Sequence, residues 1–283
     1  MINLVSAFLS RLWKEKVFWL GMAFMAAFGI VMALNTYSSG MMSGPQGEKL
    51  TAGIPLEQYC FGFQWVIGVV AAVVSSLFIG REYQDGTLRN KLIAGHSRTS
   101  LYLAGLTANI LSTLLLCLSY LFFACVIGIP LMGGFQVDAP TVLLLILGNL
   151  LAVAVYCSLF TWIQLLCSNR AGAVVIALLL TLVLLVAGTA MIGRLQEPEW
   201  ISYVSYNQQG EMVMGPLQSN PNYLKGPVRT LFQTMVNLLP TGQAFSLAGG
   251  GDESLPLLPL YSLGLIALTT GLGIWGFRKK DII

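Results

Sequence analysis

The chain has 283 residues, 56% of them hydrophobic and 10% charged, with fifteen Lys and Arg against twelve Asp and Glu for a net charge of +3. A soluble domain carries about 25% charged residues; with a mean hydropathy of +0.76 most of this surface cannot face water, and a soluble globular protein is excluded. The pI near 8.6 comes from residues flanking apolar runs, with no soluble basic face, so nucleic acid is excluded as a partner.

Met1–Lys16 places Ile2, Val5, Leu9, Leu12 and Trp13 on one helical face. This fits a helix lying in the inner interface or a plain cytoplasmic extension of the first span. Six apolar runs come next: Val17–Tyr37, Phe61–Gly80, Leu101–Ile129, Thr141–Cys167, Ala171–Gly193 and Pro256–Phe277. Each is near the ~20 residues that cross ~30 Å of hydrocarbon as a helix. Transmembrane strands are shorter and alternate in polarity. The expected fold is an all-α, polytopic membrane protein with six transmembrane helices. The first run is longer than a signal peptide's apolar core and lacks its cleavage site, so it is expected to stay as the first span.

Lys and Arg near span ends set the orientation. With the N-terminus inside, eleven of the fifteen lie on the cytoplasmic side, including Arg11, Lys14 and Lys16, Arg170, and Arg278–Lys280. Eight of the twelve acids fall outside. Both termini are therefore expected in the cytoplasm, and the expected location is a bacterial cytoplasmic membrane. The whole chain reads as one transmembrane domain: 1–16 the interfacial helix, 17–193 the first five spans, 194–255 an extracytoplasmic loop, and 256–283 the sixth span with a basic tail.

Between the spans, an outer loop Ser38–Tyr59 carries Pro breaks, an outer turn occupies Pro130–Pro140, and Ser168–Arg170 is a tight inner turn. The long segment after Arg194 reads as irregular loop in its first half. Within it, at about 228–239, Val228, Leu231, Phe232, Met235, Leu238 and Leu239 recur at helical spacing, predicting an amphipathic helix on the outer face or capping the bundle. Pro240-Thr241-Gly242 then breaks it before a short apolar piece, Gln243–Ala248, read as a re-entrant turn with a packing role. Of five cysteines, four lie in apolar runs, and Cys60 is expected to have no outside partner.

Acids and bases inside spans are costly and mark ion or proton paths. These runs hold only neutral polar candidates, Asn35, Gln64, Asn109, Asn149 and Gln164, expected to hydrogen-bond between helices. A proton-coupled carrier has no titratable group to use. No H-E-x-x-H or metal cluster is present, and the one histidine, His96, lies in an inner loop. There is no G-x-x-x-x-G-K-[ST] phosphate loop; "GPQGEK" at Gly44–Lys49 has the wrong spacing. The chain is expected to be no enzyme and to bind no cofactor itself, so energy for uphill transport must come from a separate chain.

The most polar stretch, "GREYQDGTLRNKLIAGHSRTS" from Gly80 to Ser100, holds four of the fifteen basic residues. Asp85-Gly86 makes a break, and Asp85 or Thr87 can cap the next helix. Thr87–Ala94 is predicted as about two helical turns, with Leu88, Leu92 and Ile93 on one side and Arg89, Asn90 and Lys91 on the other. Gly95 is the expected stop. Two readings fit: a docking helix for a motor, or charges that only anchor two helix ends.

"REYQDGTLRNKLIAGHSRTSLYLAGLTANI" resembles the region between the second and third spans of ABC type-2 permeases, the membrane subunits of exporters. Glu82, Gly86, Thr87, Leu88, Arg89, Lys91, Leu92, Ser97 and Arg98 match that pattern in order, and the ending "WGFRKKDII" is also similar. The resemblance implies a coupling helix within about 82–100, carried by Glu82, Asp85, Gly86, Thr87, Leu88, Arg89, Lys91, Leu92 and Arg98. It implies two partner ATPase subunits, with ATP and Mg bound there, and a second permease subunit, identical or sibling, in the lipid bilayer. The substrates it implies are hydrophobic or amphipathic: peptides, antimicrobial peptides among them, drugs or lipids. The long 194–253 segment departs from the family and fits a larger exit. A motor-independent channel and a membrane sensor or scaffold stand as alternatives.

Overall fold

The computed structural model describes residues 2–43, 49–51, 56–167, 169–206, 212–249 and 254–280. Most of "GPQGEK", Ser168, the 207–211 and 250–253 stretches of the long outer segment, and the tail from Asp281 lie outside them. In chain order, α1 (Ile2–Leu12) leads by a short turn into α2 (Lys16–Gly40), and a hairpin of β1 (Met41–Ser43) and β2 (Lys49–Thr51) comes after it. Next come α3 (Leu56–Cys60), a 3₁₀ turn at Gly62–Trp65, α4 (Ile67–Gln84), α5 (Thr87–Ile93) and α6 (Arg98–Met132). The chain continues through α7 (Ala139–Leu166), α8 (Arg170–Leu195), β3 (Trp200–Ile201), β4 (Val204–Tyr206), β5 (Met212–Met214) and β6 (Gln218–Ser219). The last helices are α9 (Gly226–Leu238), α10 (Pro240–Ala248) and α11 (Leu258–Lys279).

Five helices among the described residues, α2, α6, α7, α8 and α11, are long and apolar enough to cross a membrane. This is an all-α, multi-pass membrane protein. The second run differs from expectation because Phe61–Gly80 is not one helix. Its outer end is the buried 3₁₀ turn, and α4 continues past Gly80 to take Arg81 and Glu82 into its last turn. Those charges lower the helix's mean hydropathy.

α2 runs along α6, α11 along α7, and α4 packs between α6, α7 and α8. The outward surface of α8 is Val175, Leu179, Leu182, Val183 and Val186, side chains that lipid tails solvate at no cost. Between helices the contacts are polar as well as apolar. Asn109 on α6 donates to Ser75 Oγ on α4 at 2.7 Å, Thr161 Oγ1 on α7 at 3.0 Å and the Cys157 carbonyl at 3.3 Å. Gln64 donates to Asn149 Oδ1 at 2.8 Å, Gln164 to Ser76 Oγ at 2.5 Å, and Ser158 bonds Thr269 at 2.8 Å. Four of the five anticipated polar residues thus join helices. Asn35 is exposed and does not. Asn109→Leu will destabilise the bundle by about 1–2 kcal/mol, since it removes an intramembrane donor and strands two hydroxyls. Thermal unfolding in detergent measures this.

α1 is a separate helix packed on α6. The buried stripe is Leu4, Phe8 and Leu12, one step round from the anticipated face, and Trp13 is exposed. After α8, β3 pairs with β6 and β4 with β5 as nested antiparallel pairs. The segment expected to be irregular is therefore a β-ribbon. α3 folds back on α6, where Tyr120 donates to the Tyr59 carbonyl at 2.8 Å. That fold-back corrects the expectation for Cys60, whose Sγ lies 3.6 Å from Cys125 Sγ.

Candidate functional site: the charged end around Glu82

The segment from Arg81 to Arg98 folds as a helix end, a tight turn, a short helix and a helix start. Gly86 sits at φ +64°, the left-handed region that glycine enters without Cβ strain, and it is the N-cap of α5. Neither Asp85 nor Thr87 caps α5, contrary to expectation. The Thr87 hydroxyl turns back to the Glu82 carbonyl at 3.1 Å and also bonds the Glu82 carboxylate. At the other end Gly95 is at φ +89°, and the amides of Gly95 and His96 donate to the carbonyls of Leu92 and Lys91 at 3.0 and 3.2 Å. That is a Schellman closure, so Gly95 does stop the helix. Ser97 Oγ accepts from the Ser100 amide at 3.1 Å and starts α6.

Glu82 organises the site. It is only 4% exposed, and its carboxylate receives Arg11 Nη1 at 2.9 Å, Lys91 Nζ at 2.7 Å and the Thr87 hydroxyl. A carboxylate removed from water needs such donors. Through it, α1, α4 and α5 meet at one atom group. Lys91 also lies 3.5 Å above the Phe8 ring. Burial pushes the Lys91 ammonium below the usual lysine range, with the bond and charge of Glu82 opposing it.

This centre rotates α5 relative to the anticipated faces. Leu88 is buried and Leu92 packs on the core, as expected. Lys91 turns inward, its side chain 17% exposed, while Ile93 turns out and is 75% exposed. Ile93 therefore joins Arg89 and Asn90 on the free surface, with Asp85 and His96 exposed beside them. Arg98 lies away from that cluster. It donates to the carbonyls of Phe277 at 3.1 Å, Arg278 at 3.0 Å and Lys280, closing the C-terminal end of α11. Lys280 in turn donates to the Leu165 carbonyl at 3.1 Å, and burial lowers its pKa.

Sequence reasoning missed Arg11, Phe8 and Glu15 as members of this site. Arg11 is 71 positions from Glu82, and Glu15 pairs with Arg81, so no local pattern joins them. Beside the site, a cavity of about 910 Å³ opens between α2 and α4. Its wall is apolar, with Val17, Leu20, Phe24, Val69, Val73 and Phe78, and its charged mouth carries Arg11, Lys14, Glu15, Arg81, Glu82 and Asp85.

The candidates in α9 lie at the opposite end of the bundle from Glu82. α9 is helical as expected; Val228, Leu231, Met235 and Leu238 face away from the bundle and Val236 is the buried residue, which fits a helix on a membrane face better than one capping the bundle. Phe232 is half-buried, and Leu239 is the half-buried corner between α9 and α10. The stretch expected to break at Pro240–Gly242 and turn at Gln243–Ala248 is instead one helix, α10, which starts at Pro240 and is almost wholly buried. Thr241 donates to the Leu184 carbonyl at 2.6 Å, Gln243 accepts from Ser262 at 2.9 Å, and Phe245 meets Trp65 edge-on at 4.5 Å.

The family model described as ABC-2 family transporter protein matches residues 9–188, from the end of α1 through most of α8 and including the whole Glu82 centre. No curated protein matches the sequence. A multi-pass helical bundle with a charged junction around buried Glu82 at a helix end is the setting of that match, and the chain belongs to the ABC-2 family of transporter membrane proteins.

Proposed function

We propose that this chain is the permease subunit of an ATP-driven exporter, powered by separate ATPase chains that dock on α5. ATP and Mg bind in those partners, two of them serving a pair of permeases, identical or sibling, in a bacterial cytoplasmic membrane. The chain crosses the bilayer six times, α4 and its 3₁₀ turn forming the second crossing, with both termini inside. Membership of the ABC-2 family supports a non-catalytic membrane subunit partnered by an ABC ATPase.

The observation that carries the docking assignment is the fixing of α5. A helix of seven residues is too short to be stable alone, yet it is closed by glycines at both ends and tied to α1 and α4 through Glu82. Arg89, Asn90 and Ile93 are left exposed on it. A plain membrane anchor needs the charges but not an exposed isoleucine on a rigid projection. The groove between α2 and α4, apolar along its wall and charged at its mouth, supports an amphipathic cargo that moves outward.

Ile93→Asp tests the docking surface. At 75% exposure the change will leave folding within about 0.5 kcal/mol, while an apolar anchor lost from an interface costs about 2 kcal/mol or more, roughly thirtyfold in affinity. Affinity purification from membranes will therefore recover ATPase with the parent chain and little with the variant. Recovery of no ATPase with the parent would favour a motor-independent channel or a scaffold.

A further inference from the structure

We propose that Cys60 and Cys125 form a disulfide in the mature protein, a covalent staple between α3 and α6 on the face opposite the charged end. The two Sγ atoms already lie 3.6 Å apart, against about 2.05 Å in a disulfide, so small side-chain and backbone adjustments close the bond. Three other contacts hold the partners in register. Tyr120 donates to the carbonyl of Tyr59, the residue before Cys60. The Tyr59 side chain lies over Gly128, where an added Cβ would meet its hydroxyl oxygen at 2.1 Å and its ring at 2.4 Å. Glu57 accepts from the Gln136 amide beyond the end of α6 at 3.2 Å. α3 is therefore seated on α6 without the disulfide, and the pair is prearranged by packing.

Position along α6 decides the compartment. Cys125 lies about 40 Å along the helix from Arg98, at ~1.5 Å rise per residue, farther than the ~30 Å hydrocarbon core is thick. The inference rests on the orientation proposed above, which puts that end outside the cytoplasm, where disulfides persist. Cys125 is the partly exposed member and Cys60 the buried one, which sets the order of events. The Cys125 thiolate attacks the disulfide of a dithiol-oxidising partner or a small disulfide and expels one thiolate. The Cys60 thiolate then attacks Cys125 Sγ and expels the second. The pair loses two electrons and two protons, and the oxidant's S–S bond is reduced to two thiols. Because α3 also touches α10 and α2, the staple fixes the outer closure of the bundle to α6.

The test is peptide mapping of the full chain from cells whose thiols are alkylated before lysis. The expected result is a Cys60–Cys125 linked peptide that disappears on reduction, with Cys117 and Cys157 recovered alkylated after denaturation. Recovery of Cys60 and Cys125 as separately alkylated thiols overturns the proposal. A Gly134→Cys reporter, in an exposed turn with nothing within 4 Å, is labelled in parallel with a membrane-impermeant maleimide on intact cells. If the thiols are free and the reporter is labelled, the disulfide fails and the orientation stands. If they are free and the reporter is labelled only in inverted vesicles, the orientation was wrong and the disulfide falls with it.

Discussion

Glu82→Gln will lower the thermal midpoint of the detergent-solubilised chain and abolish substrate-stimulated ATP turnover in the assembled transporter. The amide keeps the size of the carboxylate but leaves Lys91, 17% exposed, and Arg11, 53% exposed, without their counter-charge. Breaking a buried pair by removing one partner costs about 3–5 kcal/mol, and the solvent access of Arg11 places this case at the low end. The expected stability loss is about 3 kcal/mol, or about 6–12 °C at 2–4 °C per kcal/mol. Adding Lys91→Met to the variant removes the stranded charge and restores most of the midpoint. It will not restore coupling, because α5 then has no charged tie to α1. A single variant that melts within a degree of the parent and turns over ATP normally would show that Glu82 does not organise the junction.

Gly242→Ala is expected to be the most damaging one-carbon change on the outer side. A Cβ at Gly242 would stand 2.1 Å from the Val236 carbonyl oxygen and 2.8 Å from Val236 Cγ1. The obstacle is backbone in the last turn of α9, so it cannot swing aside as a side chain tip could. Overpacking of this kind costs about 1–3 kcal/mol when neighbours can move, and here the expected loss is about 3 kcal/mol or more. α10 is then displaced from its seat against α7, α8 and the 3₁₀ turn. Gly264→Ala on α11 is the control, since nothing lies within 4 Å of its added carbon; helix propensity makes it neutral or up to about 1 kcal/mol stabilising. Thermal unfolding and export assays on both variants measure the difference, and equal behaviour would mean that the α9–α10 corner is pliant.

Much of the fold is legible in the sequence because long apolar runs have one solution in a membrane. The ends of α2, α6, α7, α8 and α11 fall within a few residues of those expected from hydropathy. The short helix α5 is legible as well, since Gly86 and Gly95 mark its ends chemically. Its faces were not. Periodicity places Lys91 with the polar residues and Ile93 with the apolar ones, and only the buried carboxylate of Glu82, from a different helix, reverses them. The same limit hides Arg11 and the nearness of Cys60 to Cys125: each depends on which helices lie side by side. Charge at the end of α4 and the close approach of Tyr120 to Gly62, where an added Cβ would meet the phenol oxygen at 2.6 Å, accompany the break of the second run where composition reads straight through. α9 is a helix as its spacing predicts, and its apolar stripe faces away from the bundle, the arrangement of a helix lying on a membrane face and not of one capping the bundle.

α6 is 35 residues long, a rod of about 52 Å. Its inner tip is latched to the tail of α11 through Arg98, and Asn109 pins it to α4 and α7 about 16 Å from that tip. Cys125 and the seat of α3 lie about 24 Å beyond the pin. Such a rod is a lever with its fulcrum at Asn109 and unequal arms. Under the function proposed above, a sideways displacement imposed on the Arg98 tip emerges at the Cys125 arm about 1.5 times larger and in the opposite direction. Under that exporter function, squeezing the Arg98 ends together spreads the far ones, so that a single stiff helix supplies reciprocal gates.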